Sequence, residues 1–125
     1  MTRAILAAAI LAALGCDKAG DDAIGRTVKG WKDQGLETSA FSDVGSSELG
    51  QKCKVGVVAG LDVTVCEYPD AAQAKTAEEK GLTIVGEATG ASISQGQLLL
   101  VVADRRKADP DGKKLNQLTQ SFRKP

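Results

Sequence analysis

The sequence predicts an α+β fold: a small antiparallel sheet of about four strands, with helices on one face and a further helix before the first strand. Two observations lead to this prediction. Strand-forming residues flank a glycine turn twice, in residues 52–67 and 91–102. A proline and a helical pattern follow each time, so residues 51–80 and 90–122 share a ββα plan. We assign residues 23–125 to a single domain, because a chain of 125 residues is too short for two ordinary domains.

Residues 1–15 have the features of an export signal. Met1-Thr2-Arg3 supplies a positive start, and Ala4–Leu14 is an unbroken apolar run of eleven residues. A membrane-spanning helix needs about 20 residues, so this run is too short to remain as one. The four residues Ala13-Leu14-Gly15-Cys16 resemble the lipobox of bacterial lipoproteins, with Ala13 where leucine is usual. A buried alanine-rich helix would require the charge, the length, the small residue and the cysteine to coincide.

The resemblance implies that a signal peptidase removes residues 1–15 and that the Cys16 thiol carries diacylglycerol, often with acylation of the new amino terminus. Two or three acyl chains hold a protein on a membrane almost irreversibly, at about 0.8 kcal/mol per buried methylene. We therefore expect an exported protein, anchored to the cell membrane or outer membrane through lipid on Cys16. Residues 16–22 would be its tether, and the domain would lie in the periplasm or at the cell surface.

The helix before the sheet is predicted to begin after Asp21 or Asp22, because aspartate caps helix amino termini. Gln34-Gly35-Leu36 is predicted to end it, with the glycine in the left-handed conformation. A short edge strand is predicted within residues 40–44. The apolar stripe of the helix recurs at helical spacing and consists of Ile24, Val28 and Trp31.

The first hairpin predicts a disulfide. A turn at Ala59-Gly60 pairs residues whose numbers sum to 119, which places Cys53 opposite Cys66 at a Cα–Cα distance of about 4.5 Å. Export to an oxidising compartment favours the crosslink. A catalytic dithiol usually shows C-x-x-C spacing, and a zinc site needs three or four ligands, so both alternatives are weaker.

Helices are predicted after each hairpin. Pro69 suits a first helical position, and Lys80-Gly81-Leu82 is predicted to stop that helix before a strand beginning at Ile84-Val85. The apolar run Leu98–Val102 indicates a central strand covered on both faces, so Leu99→Ala and Leu100→Ala should both destabilise the fold. Asp109-Pro110 is predicted to start the last helix, whose apolar residues are Leu115, Leu118 and Phe122.

Composition argues against several chemistries. Histidine is absent, and the 16 basic residues balance the 16 acidic ones, so we predict neither a metal site nor nucleic-acid binding. No cofactor is predicted, because Gly86, Gly90 and Gly96 lack the Gly-Lys-Ser/Thr ending of a phosphate loop. Glu78-Glu79 is interpreted as part of a solvated helix face, because adjacent helical carboxylates point apart.

The carboxyl-terminal end is basic. Residues 104–125 contain seven basic and three acidic side chains, which suggests contact with anionic lipid or an acidic polymer. The simpler interpretation is an exposed helix face. The candidate contact residues are Arg105, Arg106, Lys107, Lys113 and Lys114.

Function is predicted only in outline. The first hypothesis is a non-enzymatic envelope lipoprotein that binds or braces a partner, such as an envelope protein. The alternatives are a small hydrolase or transferase using Ser, Lys or carboxylate side chains, and a surface-polymer module acting through the basic end. A deep pocket with convergent groups would favour the enzyme, and a shallow surface would favour the binding module.

Overall fold

The computed structural model describes residues 22–44, 48–50 and 52–124. The strands are β1 (Ser42–Asp43), β2 (Cys53–Val58), β3 (Leu61–Glu67), β4 (Thr89–Gln95) and β5 (Leu98–Asp104). The helices are α1 (Ala23–Asp33), α2 (Ala71–Thr76), α3 (Glu78–Val85) and α4 (Lys113–Arg123). All strand pairs are antiparallel, in the order β1-β2-β3-β5-β4. The α+β class, the antiparallel sheet and the helix before it are confirmed.

Two details differ from the predicted architecture. The described part of the chain forms five strands rather than about four, because the short edge strand predicted within residues 40–44 forms at Ser42–Asp43 and pairs with β2. Helices cover both faces of the sheet rather than one. On one face, α1 and α4 pack against Val65, Leu100 and Val102. On the other, the α2–α3 segment packs against Leu99 and Val101.

The chain path explains the second difference. β3 and β4 are both antiparallel to β5, so they run parallel to each other. Parallel strands cannot be joined by a tight turn, so the connection must cross one face of the sheet. The α2–α3 segment makes this crossing, whereas α4 follows β5 and packs beside α1. Every residue of Leu99–Val102 is therefore buried, as the continuous apolar run predicts.

The β2–β3 hairpin has the predicted register. Val58 pairs with Leu61 and Cys53 pairs with Cys66, so the partner numbers sum to 119 throughout. Ala59 and Gly60 have φ angles of 53° and 85°, which are those of a two-residue type I′ turn. The cysteines form a disulfide across a Cα–Cα distance of 4.0 Å.

Helix α1 has the predicted ends. The carboxylate of Asp22 accepts a hydrogen bond of 2.7 Å from the Gly25 N–H. Gly35 has a φ of 87°, and the Leu36 N–H donates to the Trp31 carbonyl, which closes the helix as a Schellman motif. Trp31 is fully buried, and its indole N–H donates to the Leu118 carbonyl at 3.1 Å.

Three local predictions are wrong. Gly81 does not stop a helix: it lies within α3, which ends before Gly86, and Ile84-Val85 is its last turn rather than a strand. A Cβ at Gly81 would lie 2.1 Å from the Ser92 hydroxyl, so glycine permits close packing of helix on sheet. The proline-started helices begin later than predicted, at Ala71 after the Asp70 cap and at Lys113.

Candidate functional site

The described part of the chain begins at one end of the sheet. Cys16 lies outside the described residues, and the first described residue is Asp22, whose carboxylate is 4.0 Å from the Lys54 ammonium near the start of β2. Within residues 22–44, 48–50 and 52–124, no helix is long and apolar enough to cross a membrane.

The Cys53–Cys66 disulfide lies at this same end. Both cysteines are buried, and they pack in one cluster with Leu49 and Leu99. Burial shields the sulfur atoms from thiol attack, which favours a structural crosslink over a redox role. The disulfide thus joins the ends of β2 and β3 beneath the loop that contains Leu49.

Two adjacent depressions open beside the disulfide, and we call them together the two lobes of the Tyr68 groove. Its first lobe has a volume of about 610 Å³ and lies between Leu49 and the α2–α3 segment. Its second lobe has a volume of about 630 Å³ and includes Lys52, Glu67 and Gln97. Tyr68 and Gln73 line both lobes. Each volume lies in the range of roughly 300–1,000 Å³ that is typical of ligand sites.

Backbone contacts hold Tyr68 in place. Its N–H donates to the Gln97 carbonyl at 2.8 Å, and its hydroxyl donates to the Leu49 carbonyl. The Gln97 side-chain amide donates to the Pro69 carbonyl at 2.7 Å. Burial raises the pKa of Tyr68, so the phenol is neutral at physiological pH and keeps its proton for this hydrogen bond. The groove is therefore built on a fixed aromatic ring.

The polar wall of the groove begins at the α2 cap. The Asp70 carboxylate accepts hydrogen bonds from the Gln73 backbone N–H at 2.8 Å and from the Gln73 side-chain amide at 3.1 Å. The side-chain contact uses one N–H of the Gln73 amide, and the exposed Gln73 side chain lines both lobes of the groove. Sequence reasoning missed this site, although an aromatic residue between a strand and a capped helix, in Tyr68-Pro69-Asp70, was a visible signal.

The basic residues lie at the opposite end of the sheet. Arg105 and Arg106 follow β5 beside the Ala59–Gly60 turn, roughly 20 Å along the strands from Asp22. The guanidinium of Arg106 is 2.8 Å from the Asp62 carboxylate, and that of Arg105 donates to the Ile84 carbonyl at 2.7 Å. Both arginines are thus bonded within the fold.

Two further acidic side chains offset the positive charge of the basic end. The buried Asp104 carboxylate accepts the N–H groups of Ala108 and Asp109, and the buried Asp109 carboxylate caps α4 through the N–H groups of Lys114 and Leu115. Burial alone would raise the pKa of Asp109, but the backbone hydrogen bonds from Leu115 and Lys114 and the charge of Lys114 lower it.

The local charge at the basic end is therefore small. The five basic residues that the sequence predicted as contact residues lie at the same end as four carboxylates, those of Asp62, Asp104, Asp109 and Asp111. Lys107, Lys113 and Lys114 are exposed. The fold brings the five basic residues to one end but adds Asp62, which is distant in sequence.

Metal-binding side chains are not clustered in the described part of the chain. No group of three or more His, Cys, Asp or Glu side chains there could hold a metal ion. The Ser92 hydroxyl is buried without a hydrogen-bond partner, enclosed by Gly81 and therefore closed to a substrate. No family model, curated protein or solved structure matches this chain.

Proposed function

We propose that this chain is a lipid-anchored envelope lipoprotein whose domain is a non-enzymatic binding module, with the Tyr68 groove as its ligand site. The apolar run and the lipobox-like residues before Cys16 support export and anchoring. The Cys53–Cys66 crosslink supports the same assignment, because disulfides persist in oxidising compartments such as the periplasm.

One observation determines the choice of site. The Tyr68 groove has an aromatic ring fixed by hydrogen bonds and is lined by exposed polar side chains, such as Gln73 and Gln97. At the basic end, by contrast, Arg105 and Arg106 are bonded to Asp62 and to backbone carbonyls. A rigid concave surface with a few available polar groups is what a small-ligand site requires.

The position of the tether is compatible with this choice. Asp22 and the second lobe of the groove are both close to Lys52 and Glu67. The six residues from Asp17 to Asp22 span at most about 20 Å. The groove would thus lie near the anchoring membrane, whereas the basic end would reach that membrane only if the domain lay on its side.

Fatty-acid labelling tests the anchor. Cys16→Ser should abolish the label and leave uncleaved precursor, because no other residue near the junction can form the lipid thioether. The matched control is the double variant Cys53→Ser/Cys66→Ser, which should keep the label. Undiminished labelling of the Cys16→Ser protein would contradict the proposal.

Site-specific photo-crosslinking in intact cells tests the groove. A photo-reactive residue replacing Gln73 should capture a ligand, and one replacing Gln120, an exposed residue of α4, should not. A third protein carries the probe at Lys114 in the basic end. Capture only from the Lys114 position would place the contact surface there and exclude the groove.

A further inference from the structure

The charges of the Tyr68 groove constrain its ligand. Acidic and basic residues nearly balance across the two lobes, with three carboxylates and two ammonium groups. These side chains are Asp70, Glu79, Glu67, Lys80 and Lys52. A polyanion or a polycation would meet like charges in either lobe, so the lining favours an uncharged ligand.

The hydrogen-bonding groups favour hydroxyls on the ligand. One N–H of the Gln73 amide is bonded to Asp70 and one N–H of the Gln97 amide is bonded to the Pro69 carbonyl, so each amide keeps its second N–H and its carbonyl oxygen for a ligand. Thr76 adds a hydroxyl to the first lobe, whose O–H donates to the Ala72 carbonyl. A site that offers both donors and acceptors suits hydroxyl groups, which donate and accept at once.

The apolar part of the groove surrounds the Tyr68 ring. It consists of that ring with Leu49, Ala72 and Ala77 in the first lobe and Pro69 in the second. Gly50 lies against the ring edge, where a Cβ atom would be 3.4 Å from Cε2. An aromatic ring beside apolar side chains can accommodate the C–H face of a saturated ring.

We propose that the Tyr68 groove binds a neutral saccharide chain. One pyranose ring packs on the Tyr68 ring, and its hydroxyls donate to the carbonyl oxygens of Gln73 and Gln97. Because the two lobes meet at Tyr68 and Gln73, the chain extends over more than one sugar unit. This inference rests on the proposed function, since it places the domain in the envelope among such chains.

Fluorine NMR of the mature acylated protein tests the inference. Tyr68 is the only tyrosine in the chain, so fluorotyrosine labelling reports on the groove alone. The protein is held in a detergent without a sugar headgroup and titrated with chitotetraose, maltotetraose and cellotetraose. At least one of these neutral tetrasaccharides should shift the Tyr68 resonance to saturation.

Variants assign the contacts. Gln73→Ala should weaken binding about fivefold to tenfold, the loss expected for one hydrogen bond. Gln120→Ala, on the other face of the sheet, should leave the affinity unchanged. No saturable shift with any of the three probes would overturn the proposal, as would equal affinity in the Gln73→Ala protein. Neither result would alter the fatty-acid labelling at Cys16, so a failure here leaves the anchor intact.

Discussion

Substitution of Gly81 tests how closely α3 packs on the sheet. A Cβ atom at this position would lie 2.1 Å from the Ser92 Oγ and 2.7 Å from the Val101 Cγ2. Relaxed contacts between carbon atoms are about 3.5–4.0 Å, so neither neighbour can stay where it is. Alanine must therefore push α3 away from β4 and β5, or force both side chains out of their preferred rotamers.

The size of the effect follows from two opposing contributions. Replacing glycine by alanine inside a helix stabilises it by about 0.8–1 kcal/mol. Overpacking a core contact costs about 1–3 kcal/mol, and the upper half applies because two contacts are violated, one of them at the centre of the sheet. We expect Gly81→Ala to lower the free energy of unfolding by about 1–2 kcal/mol.

Helix α1 supplies the matched control. A Cβ at Gly30 would have the Ser121 hydroxyl as its nearest neighbour, at 3.9 Å. Gly30→Ala should therefore gain the helix propensity without a clash and raise the free energy of unfolding by about 0.5–1 kcal/mol. Urea unfolding of the oxidised protein, followed by circular dichroism, measures both.

A second substitution identifies the cause. Adding Ser92→Ala to Gly81→Ala removes the closer of the two clashing atoms, a hydroxyl that has no hydrogen-bond partner. The double variant should recover part of the lost stability. If Gly81→Ala alone were as stable as the wild-type protein, α3 would not lie against β4 as described and the reasoning would be refuted.

The remaining predictions concern the sheet, its crosslink and the α4 cap. Leu99 and Leu100 are fully buried on opposite faces, so each Leu→Ala change should cost about 2–4 kcal/mol in the urea assay. If only one of the two substitutions lowered the free energy of unfolding, this would contradict a core on both faces of the sheet. Non-reducing peptide mapping should link Cys53 to Cys66, and loss of this crosslink should cost about 3 kcal/mol. Free thiols at both positions in envelope-extracted protein would exclude it. The pKa of Asp109 is lowered, so its contribution to stability is present above its unfolded pKa and disappears as the pH falls through the folded value. Below about pH 4 the wild-type protein should therefore lose more stability than Asp109→Asn, and parallel acid profiles would contradict this.

Local and near-local patterns were predictable from the sequence. The Cys53–Cys66 register needs only the position of one turn, and both the turn and the disulfide follow from it. The end of α1 at Gly35 is likewise encoded within a few residues. The apolar run at Leu98–Val102 indicated cover on both faces, although the sequence did not show which helix would supply it.

Predictions failed where one sequence signal has two physical causes. Gly35 and Gly81 occur in the same pattern, because each follows a basic or amide residue and precedes a leucine. Gly35 nevertheless takes a positive φ, whereas Gly81 lies against Ser92. Only the approach of a distant strand distinguishes the two cases. The pairing of Arg106 with Asp62, 44 residues away, and the Tyr68 groove depend equally on tertiary contacts.

The exposed edge of β4 shows how a helix residue can protect a sheet. β4 is a seven-residue edge strand, and Thr89–Gln95 contains no proline or charged residue to hinder pairing with another strand. The protection comes from α3, because the Glu78 carboxylate accepts the Ser94 hydroxyl at 2.7 Å and the Ser94 backbone N–H at 2.8 Å. These two hydrogen bonds lower the pKa of Glu78, so the carboxylate remains charged and continues to accept both hydrogen bonds at the edge of β4. Anchoring would confine many copies to one membrane surface, where open edges would meet often. Glu78 therefore has a structural role that its position on a helix, beside Glu79, does not reveal.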